Sequence, residues 1–467
     1  MKATFRLGRT SGMWLLGLVF IATLPFVTAK IRASDEIEYV AYLHSLVFDH
    51  DLEFGNEYEY FYRQDPQGLA GFKATFLDQR TRTDRHINFG PIGSALLWAP
   101  AYLGAHAVVL AARALGLGVV ADGLSRPYSV AICLASALYG FMGLVLIQRA
   151  LRRFAAIPEP AATWTVVALW LATPVLYYMT LAAAFAHACS LFAVALLLWL
   201  WLRWRESLTP TRAALLGAAG GLAGLVREQD LLFLLVPAAD VALRALGRRG
   251  LWRAILHLGL MAVAAVTAFV PQLLVYRAIN GNFGPSSVVE RKMHRWTSPH
   301  FFEVLFNPGH GLFVWSPIAL VAIIGLVVLC VRRRQLVPAL LLFGFVAQVW
   351  INGAIESWHM AGAFGARRFL SSTFVFAWGL AYVLAPLTAR GRRWIAALLV
   401  AVFVWWNLSL MAQFALRLIN HEASRQYLEW PEVAVNQFTA VPSRAAHAAY
   451  LFFTDRARLE RELRGAR

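Results

Sequence analysis

Asp35 and Glu36 stand side by side where the first apolar run, residues 12–29, gives way to a long polar stretch. A carboxylate at such a boundary can take a proton from a hydroxyl if partial desolvation lifts its pKa above the reference value of about 3.9. The same pair would equally mark the solvated end of a helix. Arg227, in Arg227-Glu228-Gln229, sits between two apolar runs. An ionisable side chain at membrane depth is costly and usually lines a cavity; the plainer reading is an arginine that snorkels to lipid headgroups. Arg367-Arg368 and Glu356-Ser357-Trp358-His359 flank later apolar runs, and Asp84-Arg85-His86 closes the polar stretch. His86 and His359 could assist a substrate or be merely solvated. Asp49-His50-Asp51 has the residue types of a metal site, and exposed acids are equally common without one.

The elements that must position these groups are set by composition. The 467 residues are 59% hydrophobic and 15% charged, with a mean hydropathy of +0.57. Soluble domains are nearer a quarter charged, so an all-α polytopic membrane protein is expected. The net charge of +17 would suggest nucleic acid in a soluble chain. Here the basic residues fall in short loops between apolar runs, which is the pattern of membrane orientation, and no nucleic-acid partner is expected. Cys133, Cys189 and Cys330 lie far apart inside apolar runs and read as buried small hydrophobes.

About eleven transmembrane helices are expected, near residues 12–29, 127–148, 161–179, 181–202, 211–226, 229–243, 254–276, 312–331, 336–352, 369–388 and 394–416. The first is read as an uncleaved anchor rather than a signal peptide, with the N-terminus, Lys2, Arg6 and Arg9, inside. Residues 91–113 are long enough to span, but two prolines, Gly93, Gly104 and His106 make them a poor crossing. Placed in the external interface, they complete a long first external loop, residues 30–126, carrying juxtamembrane helices. The cytoplasmic loops then hold Arg149, Arg152 and Arg153; Arg203, Arg205 and Arg212; Arg244, Arg248, Arg249 and Arg253; Arg332, Arg333 and Arg334; and Arg390, Arg392 and Arg393. A crossing at 91–113 would put every one of them outside, against the positive-inside rule. Residues 1–416 therefore form the membrane domain, and 417–467 a short external tail ending in a charged helix.

In this topology Asp35-Glu36, His86, Arg227, the loop 277–311 with Arg291, Lys292, His294 and Arg295, Glu356 to His359, and Arg367-Arg368 all face outward. The order of the motifs is then informative. Asp35-Glu36 is followed by Asn88-Phe89-Gly90-Pro91-Ile92-Gly93 through Trp98-Ala99-Pro100, then Gly311-Leu312-Phe313-Val314-Trp315-Ser316-Pro317, then Trp358 and Phe364-Gly365-Ala366-Arg367-Arg368-Phe369. The chain resembles, over most of its length, bacterial members of the C-type membrane glycosyltransferase superfamily, which includes protein O-mannosyltransferases and lipid A aminoarabinose transferases. It lacks the large C-terminal external domain that some relatives use on acceptors, which leaves the acceptor open among glycan, lipid and protein.

The resemblance implies a bacterial inner-membrane enzyme moving a sugar from a polyprenyl-phosphate donor to an acceptor hydroxyl on the periplasmic face, with inversion. Carried over by position, Asp35 is the general base and Glu36 its neighbour. Some relatives hold a divalent metal ion, for which Glu36 is the residue in place. Arg227, Arg367 and Arg368 are the expected phosphate holders, since a planar guanidinium can grip two oxygens at once. His86, Glu356, Trp358 and His359 are expected substrate contacts. Three other readings stand beside this one. A transporter or lipid flippase would show inverted repeats and ionisable groups near the midplane; an O-antigen-ligase-type transferase would rest on loop 277–311; an accessory membrane protein would have no catalysis.

The topology is tested with single reporter cysteines in a cysteine-free background. Positions 84 and 298 should label from outside, and 333 and 392 from inside alone. Outside labelling at 333 would invert the orientation and move every group named above to the cytoplasm.

Overall fold

The structure, a computed structural model, describes residues 11–246, 250–287, 289, 295–360, 362–389, 392–419 and 428–465. Lys2, Arg6, Arg9, Arg248, Arg249, Arg291, Lys292, His294 and Arg390 lie outside the described residues. The described chain is helical, its one strand-like pairing being the isolated bridge between Arg80 and His86. Among the described residues, seven helices are long and apolar enough to cross a membrane, the longest being Leu251–Asn280 and Arg126–Phe154. The chain is thus a multi-pass membrane protein.

Several expected spans are interrupted, for local reasons. The run 161–179 is a helix only over Glu159–Leu171 and again over Val175–Thr180. Pro174 has no amide hydrogen to continue the ladder. The carbonyls freed at Leu171 and Thr173 are taken by the side chain of Asn407, Nδ2 lying 2.8 and 3.1 Å away. Inside a bilayer such repair by a neighbouring helix is what makes a break tolerable. The run 181–202 becomes helical from His187, and 229–243 begins as the 3-10 turn Glu228–Leu234 before Leu235–Ala245. Ser316-Pro317 splits the run 312–331, and residues 367–372 are 3-10 ahead of Thr373–Ala389. Thr173, Pro174, Ser316, Ala366 and Phe369 line one small cavity, so three of these irregular points meet.

Residues 91–113 were expected to be weakened as a helix, yet Gly93–Ala114 is continuous through Pro100. By length and composition it is among the seven that could cross. Residues flanking it on either side contact the first loop. Ahead of it, Phe89 and Gly90 donate to Glu38 Oε2 at 2.5 and 2.9 Å. Beyond it, Gly123 packs on Phe48 and His44, and His106 Nδ1 lies 2.7 Å from Tyr128 Oη at the start of the next helix.

Helix Pro210–Val226, which ends at Arg227, packs along Leu251–Asn280. Gly217 and Gly221 allow it, since a Cβ at either would press on the carbonyls of Met261 and Ala265. Small residues at this spacing let membrane helices touch backbone to backbone. The helix His187–Trp204 fixes the depth scale. His187 at one end meets Arg227, and at the other Arg205 joins Arg244 and Trp201 on buried Asp240. Its 18 residues give a rise of about 27 Å, close to a hydrocarbon thickness of about 30 Å. The tail docks by Trp430, which stacks on Trp406 and donates to the Pro308 carbonyl at 2.8 Å. Its end is the charged helix Arg456–Gly465.

Gly93 abuts the backbone of Leu225 and Val226, immediately before Arg227. Gly93→Ala should therefore force two helix ends apart and destabilise by about 1–3 kcal/mol. Thermal unfolding in detergent reads this out; an unchanged midpoint would show that the contact is slack.

Candidate active site

Asp35 lies in the first turn of helix Ser34–His44. The residue before that helix, Ala33, has no side-chain oxygen to cap it. Glu36 supplies the cap instead: its Oε2 accepts from the amides of Arg32 at 2.9 Å and Ala33 at 3.1 Å. Unsatisfied amides of a first turn attract a carboxylate for this reason. One Glu36 oxygen is thus committed to the backbone. Asp35 is left facing the bundle, where its Oδ2 meets an Arg367 guanidinium nitrogen at 3.1 Å. The Asp35 side chain keeps 40% of its surface and stays open to solvent.

Glu38, one turn along, is almost fully buried and was not singled out from the sequence. Its Oε2 takes the Phe89 and Gly90 amides, and Asn88 closes the arrangement by donating to the Glu38 carbonyl at 3.0 Å and accepting from Gly90 at 2.9 Å. Tyr42 Oη also donates to the Gly90 carbonyl, at 2.9 Å. The motif Asn88-Phe89-Gly90 is therefore the strap that holds the acidic helix. Burial pushes the Glu36 carboxyl up to about 7 and Glu38 up to about 8, with Asp35 nearby adding to both and the amide bonds opposing.

Three guanidiniums converge on this corner. Arg227 ends helix Pro210–Val226 in an extended conformation, with Nη1 2.7 Å from Nδ1 of His187 and Nη2 3.3 Å from Gln229 Oε1. Arg368 donates to Ser357 Oγ at 2.9 Å, and its carbonyl accepts from Gln229 at 2.9 Å. Arg367 lies over the Phe185 ring at 5.0 Å. All three arginines act electrostatically on His187, and Arg368 also senses Arg367, Arg227 and Asp35. Arg227 Nε and Arg368 Nη1 are buried with no hydrogen-bond partner among the described residues. A buried charged donor without an acceptor is expensive, so the corner is suited to an anion with several oxygens.

The other sequence candidates fall elsewhere. The His86 ring pairs with Glu53 and packs against Tyr58 within the loop. Glu356 is exposed, and Trp358 stacks on His300 at 4.6 Å while meeting His359 edge-on. Ser357, between them, is the member of that cluster that reaches the arginines. His187 and Gln348 are absent from the sequence candidates, and Gln229 enters them only as a neighbour of Arg227. A histidine opening an apolar run was a usable signal for the first. The two glutamines bond to each other at 3.1 Å across distant segments, and nothing local predicts that.

No protein-family model and no curated protein matches the sequence. Two solved structures are similar to it. One is ArnT from Cupriavidus metallidurans bound to undecaprenyl phosphate, with 16% identity over 92% of this chain and 75% of that one, at a TM-score of 0.48. The other is ArnT from the same organism in the apo state, with 18% identity over 98% and 73% of the two chains and a TM-score of 0.49.

The raised carboxyls have a consequence for stability. Between the usual 4.5 and their folded values, Glu36 and Glu38 hold protons in the folded protein that the unfolded chain has released. Their contribution is therefore full below about pH 4.5 and is lost as pH rises through 7 and 8. The thermal midpoint should fall over that window, and Glu38→Gln should flatten its upper part. An identical pH slope in Glu38→Gln would show that the proton is not held there.

Proposed function

We propose that this chain is an integral membrane glycosyltransferase of the C-type superfamily, which transfers a sugar from a polyprenyl-phosphate donor to an acceptor hydroxyl on the external, periplasmic face of a bacterial inner membrane. The observation that carries this reading is the meeting of Arg227, Arg367 and Arg368 beside Asp35, with buried guanidinium N–H groups still to be satisfied. A lipid phosphate supplies the missing acceptors, and its chain lies among the spans.

The chemistry follows from the charges. Asp35 takes the proton of the acceptor hydroxyl as that oxygen attacks the anomeric carbon. The bond from that carbon to the phosphate oxygen breaks, and the polyprenyl phosphate leaves with the electron pair. One carboxylate suffices because displacement is direct, which inverts the anomeric centre. Arg367 offers five N–H donors, so its bond to Asp35 leaves others for the leaving phosphate. It thereby links base and leaving group through one guanidinium. Glu36 holds the first turn of the base's helix and Glu38 holds its strap.

The proposed topology has eleven crossings, the membrane domain at 1–416 with its first external loop at 30–126, the tail at 417–467 outside and the N-terminus in the cytoplasm. Helix Gly93–Ala114 then lies along the external interface. The contacts of Gly90 with Glu38, and of Gly123 with Phe48 and His44, support this, because residues flanking the segment on either side contact one loop.

Asp35→Asn keeps the size of the side chain and removes its basicity, so transfer should fall about a hundredfold or more while polyprenyl-phosphate binding persists. Loss of one charge-assisted phosphate contact costs on the order of 1.5–3 kcal/mol, or roughly ten- to a hundredfold in donor affinity. Arg227→Ala and Arg368→Ala should show this loss, and Arg227→Lys should recover part of it, since lysine keeps the charge but not the fork. Binding and turnover are measured separately for these and Arg367→Ala. Wild-type donor affinity in every arginine variant would place the phosphate elsewhere, and full transfer by Asp35→Asn would remove the base.

A further inference from the structure

The far end of the acidic helix carries a second ionisable cluster that takes no part in the transfer chemistry. His44 is the last residue of helix Ser34–His44. A wide turn, Ser45–Asp49, follows, and His50 reverses the chain at a φ of 59°. The Ser45 hydroxyl secures this reversal by donating to Asp51 Oδ1 at 2.8 Å. Of Asp49-His50-Asp51 it is Asp49 whose carboxylate reaches the His44 ring. Its Oδ2 lies 3.1 Å from His44 Nδ1 and accepts from Asn56 at 2.8 Å. Glu57, from helix Gly55–Gln64, brings Oε1 to 2.8 Å from the same Nδ1.

The hydrogen bonds of His44 make this cluster unusual. The Asp122 backbone also lies beside its ring. Nδ1 itself faces the two acids. Two carboxylate oxygens and one ring nitrogen thus converge, and either a proton on the ring or a bound cation must stand among them. Glu57 is fully buried, lies against the Asp49 carboxylate, and its Oε2 has no hydrogen-bond partner among the described residues. The ring cannot turn aside. Phe48 stacks on it at 5.1 Å with planes 6° apart, and Gly123 packs against its other edge.

We propose that His44, Asp49 and Glu57 bind a divalent transition-metal ion of the zinc class. One ligand atom from each already lies within 4.8 Å of the others. Ligands about 2.0–2.1 Å from a tetrahedral ion stand about 3.3 Å apart, so the observed 2.8 and 3.1 Å need only small adjustments. An imidazole nitrogen with two carboxylates suits zinc or manganese, whereas magnesium and calcium prefer all-oxygen shells. The Asp122 backbone stands where a ligating histidine ordinarily has an outer partner for its second nitrogen. Asp49, with 30% of its side chain exposed, leaves an entry path and a position for water. His44 and Asp35 are nine residues apart on one helix, or about 14 Å. The ion is therefore structural: it ties the turn 45–49, helix Gly55–Gln64 and residue 122 to the helix that presents Asp35. This holds whether or not the chain transfers a sugar.

The test uses the purified full chain in detergent, stripped with chelator and titrated with Zn2+, Mn2+ and Mg2+. Metal content by mass spectrometry and the thermal midpoint are both read. One Zn2+ per chain and a raised midpoint are expected, with Mg2+ ineffective. Glu57→Gln and Asp49→Asn should each weaken Zn2+ binding at least tenfold. Asp49→Asn is partly exposed and keeps its size, so it should fold even if a His44 variant does not. Asp35→Asn and Glu36→Gln should bind Zn2+ like the wild type. Substoichiometric Zn2+ and Mn2+ in the wild type, or wild-type affinity in both cluster variants, would mean that a proton on His44 is the cation. Loss of the ion in Asp35→Asn or Glu36→Gln would move it to the reacting carboxylates.

Discussion

Arg227, Arg367 and Arg368 bring three fixed positive charges to one corner of the bundle, and Asp35 sets one negative charge against them. In a medium of low dielectric such an excess is costly unless the remaining donors find acceptors. The neighbouring side chains reduce the cost without cancelling it: His187, Gln229 and Ser357 each accept or share a guanidinium contact. What remains unsatisfied includes Arg227 Nε and Arg368 Nη1, both buried.

Regular membrane helices could not build that corner. A continuous helix spends its amides and carbonyls on itself, and its side chains diverge around the axis. Here Arg227 is freed by the end of Pro210–Val226, Arg367 and Arg368 by a 3-10 turn, and His187 by a late helix start. Each irregularity exposes backbone groups, and a polar side chain from another segment answers it. Asn407 serves the break before Pro174, Gln348 the Gln229 carbonyl, and Gln229 the Arg368 carbonyl. These amides are buried because the breaks are buried.

The loop that follows the first apolar helix solves a related problem for the carboxylate side. Helix Ser34–His44 has eleven residues, too few to be stable alone. Its first turn is capped by Glu36, its flank is held by Glu38 on the Phe89-Gly90 backbone, and its last residue enters the His44, Asp49 and Glu57 cluster. Aromatic contacts among Tyr42, Phe54 and Tyr58 give the loop a core of its own. Asp35 is thereby carried on a small folded unit rather than on a flexible strand.

Hydropathy determined the helical class, the approximate extent of the apolar runs and the membrane setting, because each depends on residues close in sequence. Residue type determined that Asp35, Arg227, Arg367 and Arg368 were worth attention, since ionisable groups beside apolar runs are costly to place. The tertiary structure alone decided that Arg367 meets Asp35, that Glu36 is turned to its own backbone and that His86 belongs to Glu53. It also decided where helices stop: Pro174 signals a break, but the break persists because Asn407, more than two hundred residues later, accepts its consequences. Glu38 and Glu57 could not be told from other loop acids by sequence. Their roles come from burial, and burial is a property of the packed chain.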